Sequence, residues 1–529
     1  MSISINQVSY VHPDKEALFP NISFSVTKGE KVSLIGNNGC GKSTLLRMIA
    51  GEFAPTSGQI VCKEAPYYIP QHFGQYDYLT VAEALKSDTR INALHAIING
   101  DASDENFNLL NDDWEIEERC LAALSMWGLE HISLNQPLQT LSGGEKTKVF
   151  LAGIAIHRPD IILMDEPTNH LDRQSREQLY QLIDNSNACM LIVSHDRELL
   201  NTLNQTFEMT HNGITAYGGN YDFYKIQKAQ TVNALMMQLS EKEKALRLAK
   251  KEAGETAERK QKHDVRGKKQ NIKKGISRMA MDTLQDKAEK STTKLNDIHA
   301  NKIEKISDTL SVIRNGIPAM PSMKLDFDSS ALHKGKILVT ASDMNFAYGA
   351  NKLWDSPLTF QIRTGERIVI NGRNGSGKTT LLKLILGHLQ PSYGVIEHAD
   401  FNPVYIDQEY SFISSQLTLL QQIELFNSRL LPGHEIKTIL NRYLFHKETW
   451  DKTCGKLSGG EKMRLMFCCL MVSNNMPDLF VLDEPTNNLD IQNIEIITTA
   501  IKEYQGTLLV VSHDKQFIKE IGIERIIEV

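Results

Sequence analysis

The chain has 529 residues, 41% of them hydrophobic and 23% charged, with a formal net charge of −6. That length is too great for one ordinary domain and predicts two or three, each with a full core. The composition excludes a disordered or fibrous chain, and no stretch reaches the ~18 apolar residues that would cross a bilayer.

The start alternates Ile3, Ile5 and Val8 with polar residues, which predicts a β-strand and not a signal peptide. Seven scattered cysteines show no metal-ligand spacing, so a reduced, cytoplasmic setting is expected. An apolar strand over residues 31–35 leads into Gly36-Asn37-Asn38-Gly39-Cys40-Gly41-Lys42-Ser43, and an apolar helix follows over 45–50. The octet fits G-x-x-x-x-G-K-[ST] in its strand–loop–helix context. Its glycines let the backbone wrap closely, so that successive N–H groups and the helix N-terminus face phosphates. Lys42 supplies a point charge for the outer phosphates and Ser43 a hydroxyl for Mg²⁺. Thr44 is grouped with these nucleotide-binding residues, and Cys40 is read as a small residue filling a variable position.

Residues 161–166 form an apolar strand ending in Asp165 and Glu166. An acidic pair after a strand most often caps a helix. Here the strand is of the buried parallel type, whose C-terminal end is where α/β sheets hold ligands. Asp165 is then placed to hold Mg²⁺ through water, and Glu166 to polarise an attacking water. His195 follows Glu166 by 29 residues, after another apolar strand, and is read as a γ-phosphate sensor.

Over residues 222–334 the character changes. Residues 240–305 hold 19 Lys and Arg against 11 Asp and Glu, although the whole chain is acidic. Apolar residues recur at Leu235, Leu239, Leu246, Ala249 and Ala253, then at Leu284, Ala288, Leu295, Ile298, Ile306, Leu310 and Ile313. Such stripes on charged helices predict a two-helix coiled-coil hairpin. At ~1.5 Å per residue, helices of about 30–40 residues would carry its tip on the order of 50 Å. The tip, residues 258–278, has nine Lys and Arg against two acids, is punctuated by Gly267 and Gly275, and is poor in aromatics. It suits the phosphate backbone of folded RNA better than stacking on single strands. Met279 and Met281 beside it are candidate effector residues. Pro318 and Pro321 are expected to end the return helix.

Residues 335–529 repeat the first 221. Gly372-Arg373-Asn374-Gly375-Ser376-Gly377-Lys378-Thr379, with Thr380, follows an apolar strand over 367–371. Asp483 and Glu484 end another, and His513 again lies 29 residues beyond the glutamate. Equal offsets in two copies remove the accidental reading of each motif. The copies differ in length: Gln71 to Leu141 spans 70 residues, whereas Gln408 to Leu457 spans 49. The extra residues fall within 85–118, where the acidic stretch 101–113, poor in helix signals, predicts a helix–loop–helix arm.

Leu141-Ser142-Gly143-Gly144-Glu145 and Leu457-Ser458-Gly459-Gly460-Glu461 resemble the signature motif of ATP-binding cassette ATPases. Gln71 and Gln408 resemble its Q-loop, and Leu171-Asp172 and Leu489-Asp490 its D-loop. The resemblance covers both copies almost end to end. It implies an α/β chain of two P-loop NTPase cassettes, 1–221 and 335–529, which hydrolyse ATP with Mg²⁺ at two head-to-tail sites. Lys42, Glu166 and His195 would work opposite Ser458, Gly459 and Gly460. Lys378, Glu484 and His513 would work opposite Ser142, Gly143 and Gly144. Ser43, Gln71 and Asp165 would surround one metal, and Thr379, Gln408 and Asp483 the other. The family stacks an aromatic on adenine, which Tyr348 fits in the second copy. The equal offset in the first copy is His12, with Tyr10 nearby.

Two cassettes on one chain, no membrane domain, the turn Tyr217-Gly218-Gly219-Asn220-Tyr221-Asp222-Phe223-Tyr224 and a long charged linker are similar to the ABC-F family. That resemblance implies a cytoplasmic monomer acting on the large ribosomal subunit, on ribosomal RNA and tRNA, with no membrane or DNA partner. Its linker would lie near the peptidyl-transferase centre. The linker's length resembles members that protect ribosomes from antibiotics more than housekeeping translation factors. Tandem importer ATPases have short linkers and often one degenerate site. Repair ATPases carry their coiled coil inside a cassette. Both fit this chain less well.

Overall fold

In the computed structural model the described residues are all but 1, 12–16, 102, 274–277, 318–332, 334, 350, 409, 474–476 and 488. Side chains are described except, in addition, at 261, 263, 264, 267–292, 295, 296 and 315. His12, Gly275, Pro318 and Pro321 therefore lie outside the described residues, as do the side chains of Met279 and Met281. The chain divides into two compact units: Met1–Tyr221 together with Pro321–Val529, and Asp222–Met320.

The first unit holds two copies of one design. In the first copy a sheet runs in the order Tyr67–Ile69, Ile161–Asp165, Cys189–Val193, Lys31–Ile35, Gln205–Thr210, Gly213–Tyr217, parallel except for the last pair. In the second the order is Pro403–Ile406, Leu479–Asp483, Thr507–Val511, Arg367–Asn371, Arg525–Glu528, parallel throughout. The strands ending at Asp165 and Asp483 are buried at every position. Continuous apolar runs such as Ile161-Ile162-Leu163-Met164 form strands because helices cover both faces of a parallel sheet. All three motif strands thus end on one edge, where the phosphate loop, the acidic pair and the histidine meet.

Each copy adds a three-stranded antiparallel sheet, Ala17–Val26, Ile3–Val11 and Ser57–Cys62 in one, Leu358–Arg363, Ile337–Asn345 and Tyr393–His398 in the other. The duplication extends to a shared backbone irregularity. Gln7 and Asp343 both adopt φ of 48° at a register shift. Their N–H groups donate to Ser23 Oγ at 2.8 Å and Thr359 Oγ1 at 3.0 Å. Gly58 and Gly394 face them at φ of 86° and 73°. A Cβ there would lie 2.3 Å from the Gln7 carbonyl oxygen or 2.2 Å from that of Asp343.

Residues 85–118 depart from the expected helix–loop–helix. Helices span Asp88–Ile98, Asp104–Leu110 and Ile116–Met126, so much of the presumed loop is helical. Asp104 and Glu105 occupy the first turn, where the helix dipole favours acids, and Asn111 ends the helix at φ of 54°. The acidity taken as a loop signal is a start signal. Asp113 then receives Arg90 at 3.2 Å and also Arg119.

The second unit is an antiparallel pair of helices, Tyr221–Lys273 and Arg278–Gly316, of 53 and 39 residues. At ~1.5 Å per residue the first is about 80 Å long, well beyond the expected 30–40 residues. Gly267 lies inside it and does not interrupt it. One glycine costs a helix ~1 kcal/mol, which so long a run absorbs. Leu235, Leu239, Leu246, Ala249 and Ala253 form the predicted seam as buried or half-buried residues, and Ile306, Leu310 and Ile313 do so on the return. Ile298 does not join them; it is 58% exposed, and half-buried His299 holds the seam position there, followed by Ile303. Lys302 with Glu252 at 3.2 Å and Arg314 with Glu243 at 2.7 Å fix the register. Among the described residues no helix is long and apolar enough to cross a membrane.

Glycine substitutions test this reading with opposite signs. Gly58→Ala and Gly394→Ala should each destabilise the protein by about 2–4 kcal/mol in urea unfolding, since a left-handed residue must also push on a backbone oxygen. Gly254→Ala, inside the first hairpin helix with nothing within 4 Å of its Cβ position, should leave stability equal or raise it by about 0.5–1 kcal/mol.

Candidate functional site

In both copies the glycine-rich loop folds back on its own lysine. Lys42 Nζ donates to the carbonyls of Gly36 and Asn37 at 2.8 and 3.1 Å. Lys378 Nζ donates to those of Gly372 and Arg373, both at 2.9 Å. The helices Lys42–Ile49 and Lys378–Ile385 start after Gly41 and Gly377, at φ of 100° and 94°. Only glycine enters such a turn freely, and it points the first free N–H groups into the loop, a ready anion site. Cys40 is buried beside Lys42, and burial pushes its thiol up, so it fills space as expected. Gly39, Gly375 and Ser376 complete the loops, with the Ser376 carbonyl accepting from Trp354 Nε1 at 2.9 Å.

Behind each loop lies the first carboxylate. The Ser43 hydroxyl bonds to Asp165, and Thr379 Oγ1 donates to Asp483 Oδ2 at 3.2 Å, an oxygen shared with Tyr405 OH at 3.2 Å. Burial raises both carboxyls, and Asp165 Oδ1 has no hydrogen-bond partner among the described residues. A buried carboxylate with a free oxygen beside a loop hydroxyl fits a hard cation such as Mg²⁺. Gln71 lines the same cavity. Gln408 is exposed on the turn after Pro403–Ile406.

The second carboxylates are strained and buried. Glu166 and Glu484 both adopt a left-handed φ of 50°, uncommon for a residue with a Cβ. The His195 N–H donates to Glu166 Oε2 at 3.2 Å, and the His513 N–H to Glu484 Oε2 at 3.3 Å. Each imidazole Nε2 stands 3.4 Å from the other oxygen of its glutamate. Burial, with the Asp165 charge next, pushes Glu166 up to about 8. Burial pushes Glu484 up to about 7, opposed by the Arg176 charge from the first cassette. Burial drives His195 well below the usual imidazole range and His513 down to about 4. Burial thus disfavours the charged form of both the ring and the carboxyl in each pair.

Elements of both copies meet at these sites. A cavity of about 380 Å³ is lined by Lys42, Ser43, Thr44, Glu166 and His195 and, from the second copy, by Thr486, Asn487, Leu489, Ile494 and Asp514. The Asn38 N–H donates to Asp490 Oδ2 at 3.1 Å, and Asn374 Nδ2 to the His170 carbonyl at 2.7 Å. Each phosphate loop is thus bonded to the segment around the other copy's D-loop. A Cβ on Gly144 would lie 3.6 Å from Asn374 Nδ2, so the first signature segment faces the second phosphate loop. Ser458, Gly459 and Gly460 are not among the residues that line the first cavity. Gly460 packs instead on Asn493 of its own copy, whose Nδ2 would be 2.1 Å from a Cβ. Ser142 and Ser458 cap their helices through Glu145 and Glu461.

Tyr348 is 63% exposed, with its hydroxyl 3.0 Å from Thr380 Oγ1 and its ring in a T-shaped contact with Phe346 at 5.0 Å. Tyr10 instead packs against Phe19, ring centroids 6.4 Å apart. Two residues escaped the sequence reading. Arg176 lines the first cavity and pairs with Asp196 at 3.4 Å, while Tyr405 supports Asp483. Arg176 was discoverable as a break in the repeat, because Ile494 stands at the equal offset from the second D-loop.

The family model described as "ABC transporter" matches residues 19–169 and 356–487. ABC transporter F family member 2 of Arabidopsis thaliana is 31% identical, covering 96% of this chain and 74% of the relative. Member 5 of the same family in that plant is 30% identical, covering 96% and 72%. ATP-binding protein Uup of Escherichia coli (strain K12) is 28% identical, covering 95% and 76%. The archaeal ribosome recycling factor aABCE1, solved with the ribosomal stalk protein aP1, superposes with a TM-score of 0.59 at 19% identity. That likeness covers 99% of this chain and 87% of the other and shows a common fold.

The buried glutamates carry a pH signature. Unfolded, they ionise near 4.5; folded, they hold their protons to about 7 for Glu484 and about 8 for Glu166. Their contribution to stability is full below the unfolded value and is lost as pH rises through the folded ones. In buffer free of nucleotide and divalent cations, the melting temperature should fall between about pH 4.5 and pH 8 more steeply than in the E166Q/E484Q protein, and the two should run parallel above that. Parallel slopes would contradict the burial of these charges.

Proposed function

The chain belongs to the ABC-F family of tandem ATP-binding cassette ATPases, and from that premise we propose that it is an ATP-driven protein acting on the ribosome. The observation that carries this reading is segregation of charge. Residues 240–305 have a net charge of +8 within a chain of −6. Arg259, Lys262 and Arg266 near the hairpin tip are exposed. A stiff basic probe meets a phosphate-lined surface with salt-dependent affinity. The fold shared with an archaeal ribosome recycling factor supports the same direction.

In this reading ATP with Mg²⁺ binds at both composite sites and draws the cassettes together. The closed form docks the hairpin beside tRNA and the peptidyl-transferase region of the large subunit, and hydrolysis releases it. Glu166 and Glu484 each activate a water, His195 and His513 hold the glutamates and sense the γ-phosphate, and Lys42 and Lys378 neutralise phosphate oxygens. Only stronger binding of the ribosome to the closed form can drive the cycle. The protein works as a cytoplasmic monomer, its two cassettes pairing within one chain. Its most specific role is protection of the ribosome from antibiotics; the family's housekeeping translation factors are the alternative. The length of the hairpin, 53 and 39 helical residues, favours protection, since it reaches deep into a cavity.

Two experiments separate these statements. With ATP, the E166Q/E484Q protein should pellet with ribosomes and block translation at least tenfold more strongly than the wild type, a difference of about 1.4 kcal/mol. Rapid ATP-dependent release of that variant would sink the proposal. Expression against a panel of large-subunit antibiotics should raise the inhibitory concentration of at least one; no change for any drug would favour the housekeeping role.

A further inference from the structure

Each switch histidine is followed by an aspartate that caps a short helix. Asp196 accepts from the N–H groups of Glu198 and Leu199 at 3.0 and 3.2 Å, and Asp514 from that of Phe517 at 2.9 Å. The helices are Arg197–Thr202 and Lys515–Glu520, and each begins with a cation that crosses to the other cassette. Arg197 Nη1 donates to Glu520 Oε1 and Oε2 at 3.1 and 3.2 Å. Lys515 Nζ donates to Glu177 Oε1 and Glu198 Oε1 at 3.2 and 3.1 Å. The two crossings are unequal, for the Arg197 side chain is 1% exposed and that of Lys515 is 42% exposed.

We propose that Arg197 is a positioning residue that locks the two histidine-bearing segments together across the cassette boundary, so that the two ATP sites turn over in concert. The proposal rests on reading those sites as ATP sites. An exposed lysine pair contributes little, whereas a buried guanidinium stripped of its carboxylate is costly. Arg197 Nε and Nη2 have no hydrogen-bond partner among the described residues, so Glu520 supplies its only hydrogen-bonded counter-charge there. Its charge also acts on Asp514, next to His513, and so reaches both ends of the second switch helix. Partial separation of the cassettes would strand this cation, which makes the joined state close to all-or-none. A shift of either histidine segment is then felt by the other. The reverse link is not its twin: Thr202 stands in the first helix where the second has Glu520, and half-exposed Lys515 reaches Glu177 and Glu198 instead.

The test uses the full-length chain and ATPase rate against ATP concentration. The wild type should be cooperative, with a Hill coefficient clearly above 1. Arg197→Met should bring that coefficient to about 1 and raise the half-saturating ATP concentration at least threefold. The exchange R197E/E520R should recover at least threefold over R197E alone, which a loss of folding in single variants would not explain away. A non-cooperative wild type, unchanged cooperativity in R197M, or an exchange no better than R197E would each overturn the proposal. Failure of the ATP-site reading itself would show differently, as wild-type turnover in E166Q/E484Q.

Discussion

A charge that has to be buried governs this structure. Glu166 and Glu484 sit at the ends of fully buried strands, in a left-handed turn, with a neutral imidazole and a backbone N–H as their immediate partners. Neither ion is comfortable there, and burial raises both. A carboxylate is held in such a place only if surrounding structure over-determines it. The parallel sheet supplies that rigidity, and the phosphate-loop lysine supplies the nearby positive charge. The remaining wall of the first cavity comes from the other cassette, through Thr486, Asn487 and Asp514. Strain, burial and dependence on a second copy are therefore one arrangement viewed at three scales.

Much of this was legible in the sequence because duplication turned weak signals into strong ones. The loops, the acidic pairs and the histidines at equal offsets all converge on one sheet edge in each copy. Strand bounds at 31–35 and 367–371 agree with the structure to the residue. The misses have physical causes. The stretch 101–113 read as loop because its Asp and Asn residues are weak formers in a helix interior, yet at a helix start acids are favoured. Gly267 read as a break because propensity is counted per residue, while a 53-residue helix is cooperative. Ile298 and His299 are adjacent, and an apolar count favours the isoleucine although the seam takes the histidine one residue on. Arg197 was invisible because its role depends on Glu520, a partner hundreds of residues away.

The signature segments show how one residue can answer two demands. Gly144 and Gly460 suit an anion receptor, and the structure shows that they are also required for packing on His170 and Asn493 of their own cassettes. Gly144 also faces the opposite phosphate loop, 3.6 Å from Asn374 Nδ2 at its Cβ position. The two sites are accordingly not twins. Arg176 places a cation near Glu484, whereas Ile494 faces the first cavity at the equal position.

The central claim is that each ATP site is completed by the opposite cassette. Residual turnover in single-site backgrounds measures this most directly. In E166Q, where only the Glu484 site can act, Ser142→Arg should abolish the remaining ATPase, while Ser458→Arg should spare most of it. Loss on Ser458→Arg with survival of Ser142→Arg would mean that each cassette serves its own nucleotide, and the account would be wrong.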